Sequence, residues 1–202
     1  MLEQTRPWGA AVLPFFSPNV TAQVVSEPWQ LAAYYEIRRA IFAEEQGLFE
    51  QSDVDEHDPH ATPIVALGHV GGMLDEVIGA VRIYPQRAPG DAETGPGTWY
   101  GGRLGVSPRY RSRRVVGTSL ICAAVSTAHA LGCTRFLATI QLRNVGYFEQ
   151  HHFASVRPVE VCGRPHRLME ADLRAYPPRA ALAEQPLDGE RATHLVKHRS
   201  AA

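Results

Sequence analysis

Between Trp99 and Gly132 the sequence passes from strand to helix through one short basic turn. Trp99–Val106 has the apolar character of a strand but holds Gly101, Gly102 and Gly105. Glycine inside a strand weakens it and marks a bulge or a close approach of backbone. Ser107-Pro108 stops the strand, and Arg109, Arg111, Arg113 and Arg114 crowd the turn that follows. Val115–Leu131 then carries a helical face of Val116, Leu120, Ala123, Ala124 and Thr127, with Gly132 as its C-cap. A helix that starts directly after a strand exposes unpaired N–H groups and the positive end of its dipole. Such a junction is built to meet phosphate.

The flanking segments follow from periodicity and punctuation. Val20–Val25 reads as a first strand. Ser26, Glu27 and Pro28 read as a helix start with Ser26 as the cap. The helix is expected to run to about Glu45, with Gly47 just past its end. Glu50–Asp58 is a short acidic stretch. Pro63–Val70 and Glu76–Tyr84 are β-branched runs joined at Gly71-Gly72, a hairpin pattern. Gln86–Thr98 is a loop, Arg135–Ile140 a buried-looking strand, and Asn144–His151 a short helix. Ala154–Val161 and His166–Leu173 form a last hairpin around Cys162–Pro165. Helices separated by a three-strand meander imply a mixed sheet of α+β type. Residues 1–19 are expected to be an arm, 20–174 the folded domain, and 175–202 a disordered tail or tether.

Composition narrows the function classes. Lys plus Arg is 20 and Asp plus Glu is 21, a net charge of -1, so no overall basic field points to nucleic acid or an anionic membrane. Three cysteines, Cys122, Cys133 and Cys162, cannot all pair and suit a reducing compartment. No apolar run reaches the ~18 residues of a spanning helix, and the N-terminus lacks the pattern of a signal peptide. The expectation is a cytoplasmic protein without a membrane or nucleic-acid partner. His57-x-x-His60 and His151-His152 lack the paired spacing of a zinc site, so no metal is expected.

Three blocks, taken together, resemble the GNAT-type acyl-CoA N-acyltransferases over roughly Val20 to Leu173. The first is Ile37–Gly47, IRRAIFAEEQG, similar to the R-x-x-V-F-x-x-E-Q helix end of one branch. The second is Arg103–Arg111, RLGVSPRYR, similar to the central strand and pyrophosphate turn. The third is Asn144–Phe153, NVGYFEQHHF, similar to the N-x-x-A-x-x-F-Y-E-K-L-G-F block. The resemblance implies an α/β/α sandwich with a partly splayed sheet. It implies acetyl-CoA, or another acyl-CoA, as co-substrate and a small-molecule amine as acceptor, with a homodimer left open. It places Leu104, Gly105, Val106, Arg111, Arg113, Arg114, Val115, Val116, Gly117, Thr118, Asn144 and Phe148 along the coenzyme.

Two departures bear on chemistry. The glycine-rich phosphate turn is replaced by arginines and valines, which fits one extra residue in the turn. The family tyrosine that often acts as general acid falls on Phe148, leaving neighbouring Tyr147 as its substitute, or thiolate departure without an acid. Arg38, Phe42, Asp55, Asp58, Arg82 and Arg103 are spaced as in the acyl-homoserine-lactone synthase branch, where such residues surround the amine donor. The long acidic loop also looks like a bacterial acetyltransferase subgroup tied to nitrogen-starvation gene clusters. Glu44, Glu45, Asp55, His57 and Asp58 are candidate proton acceptors. The aspartates have an alternative role in an ion network with the arginines, and acids near the acceptor suggest a cationic amine. A backbone N–H of Leu104 or Val106 would meet the developing oxyanion, with Gly105 allowing the distortion. The resemblance leaves open an acetyltransferase, a synthase with a longer acyl donor, and a coenzyme-binding sensor without turnover.

Overall fold

The computed structural model describes residues 19–69, 75–86, 95–112 and 114–178. The arm before Asn19, the Gly71-Gly72 turn, most of the Gln86–Thr98 loop, Arg113 and the tail beyond Pro178 lie outside the described residues. The elements are β1 (Asn19–Val24), α1 (Pro28–Arg38), β2 (Thr62–His69), β3 (Asp75–Pro85), β4 (Thr98–Val106), α2 (Arg114–Ala130), β5 (Arg135–Gln141), α3 (Val145–Glu149), β6 (Phe153–Val161) and β7 (Arg164–Ala171). One seven-stranded sheet has the order β1-β2-β3-β4-β5-β7-β6. Its only parallel pair among the described strands is β4 with β5. This is the mixed α+β sheet that the order of elements implies.

Both faces of the sheet centre are covered. Side chains alternate across a strand, so Val65, Leu67 and Ala80 pack under α1 with Tyr34. Ile64, Ala66, Ile78 and Ile83 pack on the other side with Leu120, Ala124 and Val125 of α2. Burial on both faces is why β2 and β3 read as nearly continuous apolar runs. No helix among the described residues is long and apolar enough to cross a membrane.

Several local expectations are corrected. Glu27, not Ser26, is the cap of α1, and the Gln30 side-chain carbonyl accepts from the N–H groups of Ser26 (3.0 Å) and Glu27 (3.4 Å). A carbonyl three residues inside the helix thus reaches back to the N–H of the cap, the glutamine half of a capping box. From Arg39 to Glu45 the helix continues as a π-helix rather than an α-helix. The Gln46 N–H accordingly bonds the Ile41 carbonyl at 3.0 Å. The last hairpin pairs down to Val161 and Arg164, so its turn is Cys162-Gly163 with both φ values positive (48° and 67°). Two left-handed residues match the twist of a two-residue hairpin. The packed body also runs past residue 174. Tyr176 is buried in the main core, and its carbonyl accepts from His129 Nδ1 at 2.7 Å.

Candidate active site

The site is a fork in the sheet. β4 and β5 pair only from Thr98 and Arg135 to Gly101 and Ala138. Beyond that rung β4 runs on to Val106 and β5 to Gln141 without pairing to each other. Gly102–Val106 are therefore bonded to β3 alone. The Ser107 N–H donates to the Ile78 carbonyl of β3 at 2.9 Å. Polar groups alternate sides along a strand, so the N–H and carbonyl of Val106 face the gap. A cleft of about 470 Å³ opens at the base of the fork, lined on β4 by Gly101, Gly102, Arg103 and Leu104.

Two of the β4 glycines are close-packing positions. A Cβ on Gly101 would lie 2.7 Å from Cζ of Phe136, whose ring crosses β4 at the last paired rung. A Cβ on Gly105 would lie 2.9 Å from Cδ1 of Ile41 and 3.4 Å from Cζ of Phe42. Gly105 thus admits the π-helical segment against the strand. The distortion expected there occurs instead at Arg103, which has φ 54°. The β3–β4 register moves from Ala80↔Gly105 to Arg82↔Gly102, so Arg103 and Leu104 together oppose Val81. An arginine holds a left-handed bulge because its side chain is tied down (below), not because its backbone favours it.

One wall of the cleft is an ion network. Arg38 is wholly buried and donates from Nε to Asp53 Oδ2 (2.8 Å), and from Nη1 to Tyr34 Oη (2.7 Å) and Asp58 Oδ1 (2.5 Å). Arg82 donates from Nη1 to Asp55 Oδ1 and Asp58 Oδ2, each at 2.7 Å, and from Nη2 to Asp55 Oδ2 at 2.5 Å. Arg103 donates from Nε (3.1 Å) and Nη2 (2.9 Å) to the Asp53 carbonyl, and from Nη2 to Asp55 Oδ2 (3.0 Å). The Arg103 guanidinium also lies over the Phe49 ring, 4.5 Å from its centroid. Burial works against the charge of Asp58, but hydrogen bonds from Arg38 and the Asp55 N–H, with the charge of Arg82, bring its carboxyl down to about 2. Asp55 is likewise held low: burial opposes its charge and the Arg82 bonds outweigh it. These carboxylates are committed anions, poorly suited to accept a proton.

The mouth of the fork is also bridged. Glu45, the last residue of the π-helical segment, takes two bonds from Arg111, Nη1 to Oε1 at 2.5 Å and Nη2 to Oε2 at 2.6 Å. Arg111 Nε donates to the gap-facing Val106 carbonyl at 2.8 Å. The Arg111 bonds hold the Glu45 carboxyl below the usual range. Next in sequence, Gln46 accepts from Gln141 of β5 at 3.3 Å. The end of the π-helical segment is thus stapled to both arms of the fork.

The remaining sequence-predicted residues divide between cleft and rim. Phe42, Asp55, Arg82, Arg103, Leu104, Asn144 and Phe148 line the cleft. Asp58 lies behind it, bonded to Arg38 and Arg82. Val116 is in the core, and Val115 is exposed on the first turn of α2. The Tyr147 hydroxyl lies over that turn, donating to the Arg114 carbonyl and 3.3 Å from Thr118 Oγ1. A Cβ on Gly117 would be 2.7 Å from it. Tyr147 is therefore away from the cleft lining, while Phe148 is in it. Asn144 makes no side-chain cap on α3, and Arg114 Nη1 donates to Gln150 Oε1 at 3.3 Å. Among the described residues no group of three or more metal-ligating side chains converges.

Sequence reasoning missed Asp53, Phe49, Gln46 and Tyr84. Tyr84 carried a signal: two residues after Arg82 on β3, it shares that residue's face. His57 stacks on Tyr84 (centroids 4.4 Å apart, planes 10° apart), and Tyr84 on Tyr100 (5.8 Å, 17°). On the opposite side, Ile121, Ala124 and Val125 of α2 meet Phe136, Phe148 and Phe153 around an apolar recess of the same cleft.

Comparison with known proteins converges on one family. Residues 27–153 match the sequence profile described as "Acetyltransferase (GNAT) family". No curated protein matches the sequence. Among solved structures, a protein from Lactobacillus plantarum described as a putative N-acetyltransferase superposes with a TM-score of 0.59 at 24% identity, covering 76% of this chain and 98% of that one. BjaI, described as a CoA-dependent acyl-homoserine lactone synthase with SAM and isopentyl-CoA, gives 0.59 at 18% identity, covering 77% and 84%. FeeM, described as an N-acyl amino acid synthase from uncultured soil microbes, gives 0.60 at 15% identity, covering 78% and 93%. At these identities the likeness to the solved structures is one of fold.

Proposed function

The chain belongs to the GNAT acetyltransferase family, and from that premise we propose that it transfers an acyl group from acyl-CoA to the amine of a small molecule by direct attack on the thioester. The observation that carries this reading is the fork: β4 parts from β5 after Gly101 and presents Gly102, Arg103 and Leu104 to an open cleft with no strand bonded on that side. A free strand edge offers the pantetheine amides a partner, as a missing strand would. Its N–H groups supply a donor for the thioester oxygen as negative charge develops there. The first turns of α2, Arg114–Thr118, supply unpaired N–H groups for phosphate.

The amine has to lose a proton before it attacks. Asp55 and Asp58 are held as ion pairs and Glu45 is tied to Arg111. His57 is the imidazole on the acceptor wall, stacked on Tyr84, and it takes the proton, directly or through one water. The thiolate leaves without a dedicated acid, since a thiol with pKa ~8.5 is a fair leaving group. The test is thiol release from acetyl-CoA with a panel of small amines, for the protein and for His57→Gln. A drop of about 10²-fold or more in kcat/KM at neutral pH, recovering as pH rises, supports His57 as base. An unchanged pH–rate profile refutes that role. No thiol release from any donor refutes acyl transfer.

A specific observation favours a second reading, in which the donor is longer than acetyl. The recess between α2, β5 and α3 is lined by apolar side chains from Ile121 to Phe153 and is part of the cleft. An acyl chain of several carbons would bury there, at ~0.8 kcal/mol per methylene. Comparing kcat/KM for acetyl-, butyryl-, hexanoyl- and octanoyl-CoA separates the two: a rise with length favours the longer donor, and a fall beyond acetyl rejects it.

A further inference from the structure

The sequence, with its acidic loop, suggests a cationic acceptor. The cleft has the opposite balance. Its charged lining among the described residues, histidines aside, is Arg82, Arg103 and Arg143 against Asp55 alone. Asp53 and Asp58 stand behind the wall, 1% and 9% exposed, holding guanidinium groups in place. Asp53 and Asp58 are thus spent on structure, and the charge that lines the cleft is cationic in balance, three arginines to one aspartate.

Two guanidinium donors on that wall are left over. Arg82 is 2% exposed and commits both Nη atoms to Asp55 and Asp58, but its Nε is buried with no hydrogen-bond partner. A buried N–H left unpaired is costly and calls for an explanation. Arg103 commits Nε and Nη2 to Asp53 and Asp55, and its Nη1 donates to none of the described residues. Gly102 lies between the two in sequence and lines the same cleft. A Cβ there would stand 3.7 Å from Arg82 Nε and, its chain neighbours aside, meet nothing else within 4 Å. The missing side chain leaves a notch on β4 beside the orphaned donor. The Arg103 guanidinium is destabilised first by burial and then by the charge of Arg82, against the opposing pull of Asp55 and Asp53.

From this geometry we infer that the acceptor is an amine that also carries a carboxylate, and that the notch at Gly102 takes that carboxylate between Arg82 Nε and Arg103 Nη1. The inference rests on the acyl-transfer reading and names its acceptor as an amino acid. Two oxygens of one planar group can meet two guanidinium donors at once, which a neutral amide or a bare amine cannot do as strongly. The carboxylate anchors, and the amine of the same molecule is left to reach the thioester.

The experiment measures thiol release from acetyl-CoA and hexanoyl-CoA with L-amino acids, their carboxamides and the corresponding decarboxylated amines. Arg103→Gln removes one donor. Gly102→Ala fills the notch at ordinary contact distance without disturbing the ion network, so it serves if Arg103→Gln fails to fold. The expected result is an acid preferred over its carboxamide by about 10- to 100-fold in kcat/KM, the range of a hydrogen bond to a charged group. In both variants that ratio collapses toward one. Amides or decarboxylated amines that work as well as acids overturn the inference and leave acyl transfer standing. If no acceptor releases thiol, acyl transfer falls, and calorimetric titration of the same acid and amide pairs decides the carboxylate site separately. Acids binding no more tightly than amides overturn it there too.

Discussion

Replacing Arg38 by methionine keeps a long unbranched side chain and removes a charge that nothing in the core can replace. The guanidinium is completely buried and bonds Asp53, Asp58 and Tyr34. Two carboxylates then lose a partner at once, Asp53 keeping Arg103 and Asp58 keeping Arg82. The Asp58 carboxyl alone sits at about 2 against an ordinary 3.8. Burial opposes that shift, and Arg38 is the first of the groups that produce it. The shift corresponds to roughly 2 kcal/mol of interaction with its partners together. The bond lost at Asp53 adds to this, and removal of one member of a buried ion pair costs about 3–5 kcal/mol in general. We therefore expect Arg38→Met to lower the urea-unfolding free energy by ~3–5 kcal/mol, with Tm falling by roughly 10 °C. The loss should come with an unchanged m-value, since the surface exposed on unfolding is the same. A loss below ~1 kcal/mol would mean that the site hydrates freely, and the burial argument would be wrong.

Other consequences follow from the same geometry. Asp58 has a depressed carboxyl, so its contribution is complete above pH ~4 and disappears as pH falls toward ~2, removing about 2 kcal/mol; in Asp58→Asn, urea unfolding from pH 5 to 2 should lose that much less. Glu45→Gln weakens the hold on Arg111 and is expected to tighten coenzyme A binding by about 2- to 5-fold while leaving kcat unchanged, read by titration calorimetry and thiol release. A loss of kcat with unaltered coenzyme binding would instead make Glu45 part of the chemistry. Gly101→Ala drives a methyl to 2.7 Å from the Phe136 ring, and it should cost about 1–3 kcal/mol in urea unfolding as the base of the fork is forced apart.

How far the sequence could be read depends on the range of the interaction. Elements set by local chemistry were legible: the strand–turn–helix from Trp99 to Gly132 lies as β4 and α2 where the pattern places it. The fork itself was expected from the resemblance and from the glycines of β4, and β4 does part from β5 after Gly101. The π-helical turn at Arg39–Glu45 left no local mark, because it adds no unusual residue type. It is fixed from outside, by Arg38 bonded to the loop at Asp53 and Asp58, and by Gly105 admitting Ile41 and Phe42. Arg103 shows the same limit. A left-handed arginine is invisible to propensity, and the Asp53 carbonyl that holds its side chain is 50 residues away.

The sign of the cleft is the clearest instance of information that sequence proximity does not hold. The run from Glu50 to Asp58 is acidic as text, yet an acid matters to a ligand only where it faces one. A buried guanidinium is stable only with carboxylates around it. The arginines that build the acceptor wall therefore draw Asp53 and Asp58 inward, away from the substrate, and tie down Asp55 at the cleft. The acidic loop and the basic wall are then one feature: Asp53, Asp55 and Asp58 fix Arg38, Arg82 and Arg103 in rigid positions. The donors left unspent on those guanidinium groups, Arg82 Nε and Arg103 Nη1, are the ones that the proposed carboxylate would take. Preorganised donors need no rearrangement when charge arrives, so an acceptor that brings its own anion is favoured by a cleft whose sequence neighbourhood looks repulsive to it.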